Sequence, residues 1–302
     1  MQGLPKWFGH VNLNVRGLAR AETFYREVIG LAPVWRMASD ADQSGAAFEV
    51  SGQVRFNGVL LGDDRGVRGP VLDVLEWTPA VTDDDGPAPR TGHRWGLDTL
   101  LISTPDPGAL AERVHRDGGT TTWVDSPRTL VLRDPDGTNL EVTQDGESTR
   151  FRGVRIFCSS LQRSQAFYQR VLQMRPTDEG TVTVEGRVHD SCVMRFDGSR
   201  DTFGIELCQP PADTLLAPAV RPGNHPGLYR MALVTDDVQA SLDLLAEVLP
   251  VPPRVARVEL GTEVGYLDAA FFEDPDGAVV EFVEHGVVRA SQRNTAETAK
   301  DA

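Results

Sequence analysis

The chain has 302 residues, 40% hydrophobic and 25% charged, which is enough for two globular domains of ordinary size. A net charge of −14 argues against a partner held through a phosphate backbone, so no nucleic acid is expected. No apolar run is long enough to cross a bilayer, and the start MQGLPKWFGH lacks the apolar core of a signal peptide; a cytoplasmic protein with no membrane partner is expected. Lys6 and Lys300 are the only lysines among 30 basic residues, a bias that suits a GC-rich bacterial genome. Cys158, Cys192 and Cys208 have no CxxC spacing and read as reduced thiols.

In chain order, residues 8–31 read as a strand followed by a helix carrying Phe24-Tyr25. Strands follow at 54–61 and 71–77. Residues 78–94 are rich in Pro and Asp and read as a linker; the run Asp83-Asp84-Asp85 within it reads as a solvated loop. Residues 95–118 repeat the pattern of strand, turn and amphipathic helix, and a turn at Asp134-Pro135-Asp136-Gly137 leads into a short strand holding Glu141. A second short linker covers 144–150. Residues 151–174 then align with 8–31, placing Phe167-Tyr168 on Phe24-Tyr25. Further strands are read at 180–186, 193–198 and 203–209, and a strand and helix at 227–248. The turn Asp274-Pro275-Asp276-Gly277 closes this half and leads into a strand holding Glu281. The tail, residues 289–302, is polar.

These repeats give four βαβββ modules, an α+β fold. The strand, Phe-Tyr helix and closing DPDG-x-x-x-E strand resemble the vicinal oxygen chelate superfamily, the glyoxalase, bleomycin-resistance and extradiol-dioxygenase group. The resemblance implies modules paired into two cup-shaped mixed sheets, with residues 1–145 as the first glyoxalase-like domain and 150–288 as the second. It also implies ligand positions on the first and last strand of each module. Carried over, these are His10, Asp73, Leu97 and Glu141 in one half and Gly153, Glu206, Tyr229 and Glu281 in the other.

Strand alternation places His10, Asn12 and Asn14 on one face, as it does Asn139, Glu141 and Thr143. Polar side chains in a row are costly in a dry core and natural in a wet cup. With Asp73, Trp77 and Thr99 they make up an expected first cup. There His10 and Glu141 are candidate catalytic groups, and His10, Asp73 and Glu141 are candidate ligands for a divalent metal such as Fe, Mn, Zn, Ni or Co. Asn12, Asn14, Trp77, Thr99, Asn139 and Thr143 are candidate substrate contacts. Leu97 departs from the pattern. His93 sits roughly 13 Å up an extended strand, Asp98 faces the helices by alternation, and neither repairs the site without a bulge. The second cup has no imidazole among its expected facing residues, which include Arg155, Glu206, Tyr229, Met231, Leu233 and Glu281, and it reads as structural or as an apolar binding cup.

Two functions follow. One is an enzyme acting on a small oxygenated substrate, of lyase, isomerase or ring-opening type, with a metal in the first domain. The other is a metal-free protein that sequesters a drug or a small aromatic ligand. A small molecule is the expected partner in both, and the fold allows a monomer or a homodimer.

Overall fold

The computed structural model describes residue 5 and residues 7–80, 93–124, 128–197, 203–219, 222–246, 248–261 and 265–284. The Asp83-Asp84-Asp85 run and the tail 289–302 lie outside the described residues. The four modules are present. The first comprises β1 (Trp7–Val15), α1 (Leu18–Thr23) running on as a π-helical turn (Phe24–Ile29), β2 (Ala32–Ala38), β3 (Gln43–Ser44), β4 (Gln53–Gly62) and β5 (Val71–Thr78). The second has β6 (Gly96–Thr104), α2 (Pro107–Arg116), β7 (Thr121–Val124), β8 (Thr129–Arg133) and β9 (Asn139–Gln144). The third has β10 (Arg150–Phe157), α3 (Leu161–Leu172), β11 (Arg175–Val184), β12 (Arg187–Arg195) and β13 (Gly204–Gln209). The fourth has β14 (Gly227–Thr235), α4 (Val238–Leu245), β15 (Arg254–Glu259), β16 (Tyr266–Glu273) and β17 (Val279–Glu284).

Two curled mixed sheets result, but their modules are not paired as the sequence halves suggest. One sheet runs β15-β16-β17-β14-β1-β5-β4-β2 and joins module four to module one. The other runs β11-β12-β13-β10-β6-β9-β8-β7 and joins module three to module two. The domain division at 145–150 therefore corrects to a first cup from modules one and four and a second cup from modules two and three. Connection length supplies the physical reason. Only residues 145–149 separate β9 from β10, so modules two and three stay neighbours. The much longer stretches 79–95 and 210–226 let modules one and four reach each other.

The sequence halves survive in the packing behind the sheets. The Tyr25 hydroxyl donates to Asp134 at 3.1 Å, and the Tyr168 hydroxyl to Asp274 at 2.8 Å. Each bond ties the Phe-Tyr helix of one module to the DPDG turn of the next. Each aspartate also accepts two backbone N–H groups of its own turn. Burial nevertheless lifts both carboxyls to about 6. One apolar core runs behind both sheets, from Phe8, Leu13 and Tyr25 through Leu100 and Ile156 to Leu233 and Phe282. The cup faces carry two smaller apolar clusters. None of the helices is long and apolar enough to cross a membrane among the described residues.

Candidate functional site: two cups, two arginines

Strand register identifies the four equivalent corners of each cup. On β5, Asp73 pairs with Asn12 of β1; on β17, Glu281 pairs with Ala232 of β14. Two residues back along each first strand stand His10 and Arg230. In the other sheet Glu206 pairs with Arg155, and Glu141 pairs with Leu101. Two residues back stand Gly153 and Thr99. The corners of cup one are thus His10, Asp73, Arg230 and Glu281. Those of cup two are Gly153, Glu206, Thr99 and Glu141.

The expected trio His10, Asp73 and Glu141 is therefore not assembled, because Glu141 belongs to the other sheet. Glu281, read from the sequence as structural, takes its place. His10 Nε2 lies 3.2 Å from Glu281 Oε2 and 3.7 Å from Asp73 Oδ2. The Arg230 guanidinium reaches both carboxylates, with Nε donating to Glu281 at 2.7 Å and Nη2 to Asp73 at 3.1 Å. All but His10 are almost wholly buried. Burial works against the charge on Glu281, but Arg230 and His10 overcome it and hold the carboxyl down to about 2. Burial wins at Asp73, whose carboxyl is raised despite His10 and Arg230. Burial likewise opposes the charge on Arg230, and Glu281 and Asp73 more than restore it.

Arg230 went unread because alternation puts Tyr229, Met231 and Leu233 toward the cup. The register between β1 and β14 shifts between Val11 and Leu13, opposite Met231 and Leu228. That irregularity turns Tyr229 and Arg230 inward together, followed by Ala232 and Val234, while Met231 and Leu233 join the core behind the sheet. A usable signal was present, since a lone guanidinium in the apolar run GLYRMALV needs a partner as much as Glu141 does.

The other predicted contacts divide between the cups. Asn12 donates to the backbone and side chain of Asp73, at 3.1 and 3.2 Å. Asn14 donates to the Gly223 carbonyl at 2.6 Å and accepts from the Trp77 indole at 2.8 Å, which fixes that ring as a cup wall. Above the polar corners Phe48 packs edge-on to Trp77, with centroids 5.0 Å apart, and Phe56 does so at 5.5 Å. A cavity of about 520 Å³, open solvent at its mouth included, lies between these rings and His10, Asp73, Arg230 and Glu281.

Cup two holds Thr99, Asn139, Glu141 and Thr143. Arg155, one register step from the corners, fills it. Its Nη1 and Nη2 donate to Glu141 at 2.8 and 3.0 Å, and its Nε to Glu206 at 2.5 Å. Arg155 is 1% exposed. The bulge that alternation lacked is present: the register shifts between Thr99 and Leu97, opposite Arg155 and Ile156. It brings Asp98 to the cup side, where it meets His93 Nδ1 at 2.7 Å, the Thr99 hydroxyl at 2.6 Å and Asn139 at 3.3 Å. Leu97 turns into the core. The Thr143 hydroxyl donates to the Ile102 carbonyl at 3.4 Å. Phe157, Val184 and Cys208 pack together with Trp95, Val182 and Leu216. The cysteines are buried free thiols, and burial pushes Cys158 up to about 12. At Gly153 a Cβ would sit 2.1 Å from the Gly204 carbonyl oxygen, so this corner excludes any side chain.

A metal at the family's position fits neither cup. In cup one a guanidinium, which carries charge and only donates, stands at the fourth corner and engages both carboxylates. In cup two glycine and threonine hold two corners, and Arg155 claims both glutamates. Among the described residues no group of three or more His, Cys, Asp or Glu side chains is arranged to hold an ion.

Sequence profiles described as the Glyoxalase/Bleomycin resistance protein/Dioxygenase superfamily match residues 7–142 and 153–266. The chain belongs to this superfamily, the vicinal oxygen chelate group, in a two-domain form. Its fold is similar to that of glyoxalase I from Zea mays, with 18% identity, TM-score 0.66 and 95% of each chain covered. It is also similar to a putative dioxygenase from Bacillus subtilis, with 17% identity and TM-score 0.57, over 93% of this chain and 86% of that one. No curated protein matches the sequence.

Proposed function

We propose that cup one is a metal-independent binding site for a small, largely apolar molecule, and that cup two is structural. The Arg230 bridge supports this reading most. It places a fixed positive charge against the two carboxylates a divalent ion would need, beneath a chamber walled by Phe48, Phe56 and Trp77. Aromatic walls favour a planar ligand, and edge and face contacts add to plain area burial. Of the two functions drawn from the sequence, the sequestering protein fits better than the metal-dependent enzyme. Quenching of tryptophan fluorescence by 2-naphthol after exhaustive chelation tests it. Saturable binding that chelation leaves unchanged, and that Trp77→Ala weakens at least tenfold, is expected. Binding that appears only when a divalent metal is added would overturn the reading.

One observation favours a second reading, proton transfer on the bound molecule. Glu281 holds the Nε2 side of His10, an arrangement that orients an imidazole and leaves the other ring nitrogen as the base. His10→Gln should then keep ligand binding and abolish hydrogen–deuterium exchange on a ligand with an acidic C–H. Exchange that persists in His10→Gln removes this role.

A further inference from the structure

A second cavity, of about 690 Å³ with open solvent at its mouth included, adjoins the first. It is lined by Trp7, Phe8, Val67, Val71, Val234 and Val283, with Arg68 and Glu284 exposed at its rim. His10, Trp35, Leu60 and Leu267 line both cavities. The space is therefore an outer chamber opening past His10 into an inner one, and the apolar lining continues through both. The inner end is polar, and its hydrogen bonding is incomplete. Among the described residues, Arg230 Nη1 and Asp73 Oδ1 are buried atoms without a hydrogen-bond partner. One can only donate and the other, in an ionised carboxylate, can only accept. With both carboxylates ionised and His10 neutral, the inner cluster holds two negative charges against one guanidinium, and a ligand anion would meet net repulsion.

We infer that the ligand is an elongated, uncharged molecule with a head group that both donates and accepts a hydrogen bond, such as a hydroxyl or an amide. The head accepts from Arg230 Nη1 and donates to Asp73 Oδ1 in the inner chamber. The apolar body passes His10, Trp35, Leu60 and Leu267, and its far end fills the outer chamber. A buried donor and acceptor left without partners each disfavour a ligand lacking the matching group, which makes the head a source of selectivity.

This inference rests on the proposed binding role of cup one, and three probes separate the two. 4-Methoxyphenol and 4-benzyloxyphenol share a head and differ in length; 4-benzyloxybenzoate keeps the length and replaces the head with an anion. Calorimetric titration of the intact chain should show 4-benzyloxyphenol binding at least tenfold more tightly than either of the others. Val67→Trp, which narrows only the outer chamber, should erase the length preference and leave 4-methoxyphenol unchanged. Equal affinity of the two phenols in the wild-type chain, or equal affinity of the benzoate, overturns the inference while leaving cup one a binding site. A length preference untouched by Val67→Trp also overturns the outer-chamber assignment. Failure of both phenols to bind overturns the inference and the binding role together.

Discussion

The two cups share a scaffold and a charge plan, and they differ at two corners and in what fills them. Each has two carboxylates, one from each closing strand, bridged by an arginine from a first strand. In cup one that arginine takes a corner and the opposite corner is His10, left partly accessible beneath an aromatic chamber. In cup two the arginine comes from the position beside the corner, the equivalent of His10 is Gly153, and Phe157, Val184 and Cys208 form a small apolar cluster. An internal cation offsets part of the electrostatic penalty of paired buried acids, though burial still raises Asp73 and Glu206. Whether a site remains then depends on the space left around it.

The largest expected effect breaks cup two. Arg155→Ala leaves Glu141 and Glu206 facing each other without a counter-charge, and the folded state should lose about 3–5 kcal/mol, read as a shift in urea midpoint. A loss below about 1 kcal/mol would mean that Arg155 is not what holds the cup together.

Next in size is the pH response of cup one. The Glu281 carboxyl falls from 4.5 in the unfolded chain to about 2 in the fold. A depressed carboxyl stabilises the fold above the unfolded value, and that contribution disappears as the pH falls toward 2. It corresponds to about 3 kcal/mol. The stability gap between the wild-type chain and Glu281→Gln should therefore be full at pH 6 and shrink steadily between pH 4.5 and 2. A gap that stays constant over that window contradicts the ion pair with Arg230.

A reciprocal swap sharpens the difference between the corners. Gly153→Ala drives a methyl group against the Gly204 carbonyl and should cost about 1–3 kcal/mol. His10→Gly removes one hydrogen bond at a partly accessible position and should cost about 1 kcal/mol. Thermal melts of the two variants should rank in that order. The reverse ranking would show that His10 is the structural residue and cup two the adaptable one.

Much of the fold could be read from residues alone. The repeated Phe-Tyr and DPDG motifs fixed four modules, and the structure shows why they recur together, since Tyr25 and Tyr168 bond to Asp134 and Asp274. The polar face of β1 pointed to His10, whereas Glu281 reads as structural from the sequence and gains its place beside His10 only through the pairing of modules one and four. Which modules meet was not legible. All four offer similar edges, and the choice rests on the lengths of the connections between them. Arg230 and Asp98 were hidden for a different reason. Both stand beside register shifts, and strict alternation assigns the wrong face to every residue between a bulge and the next irregularity.

That one cup binds and the other only supports is tested most directly by parallel calorimetric titrations of 2-naphthol into chelated Arg230→Met and Arg155→Met chains, because methionine keeps most of the side-chain volume in both. The expected result is one site per chain in Arg155→Met with affinity within about twofold of the wild-type chain, and at least a tenfold loss, about 1.4 kcal/mol, in Arg230→Met. Undiminished binding in folded Arg230→Met, or its disappearance in folded Arg155→Met, would contradict the division of roles between the cups.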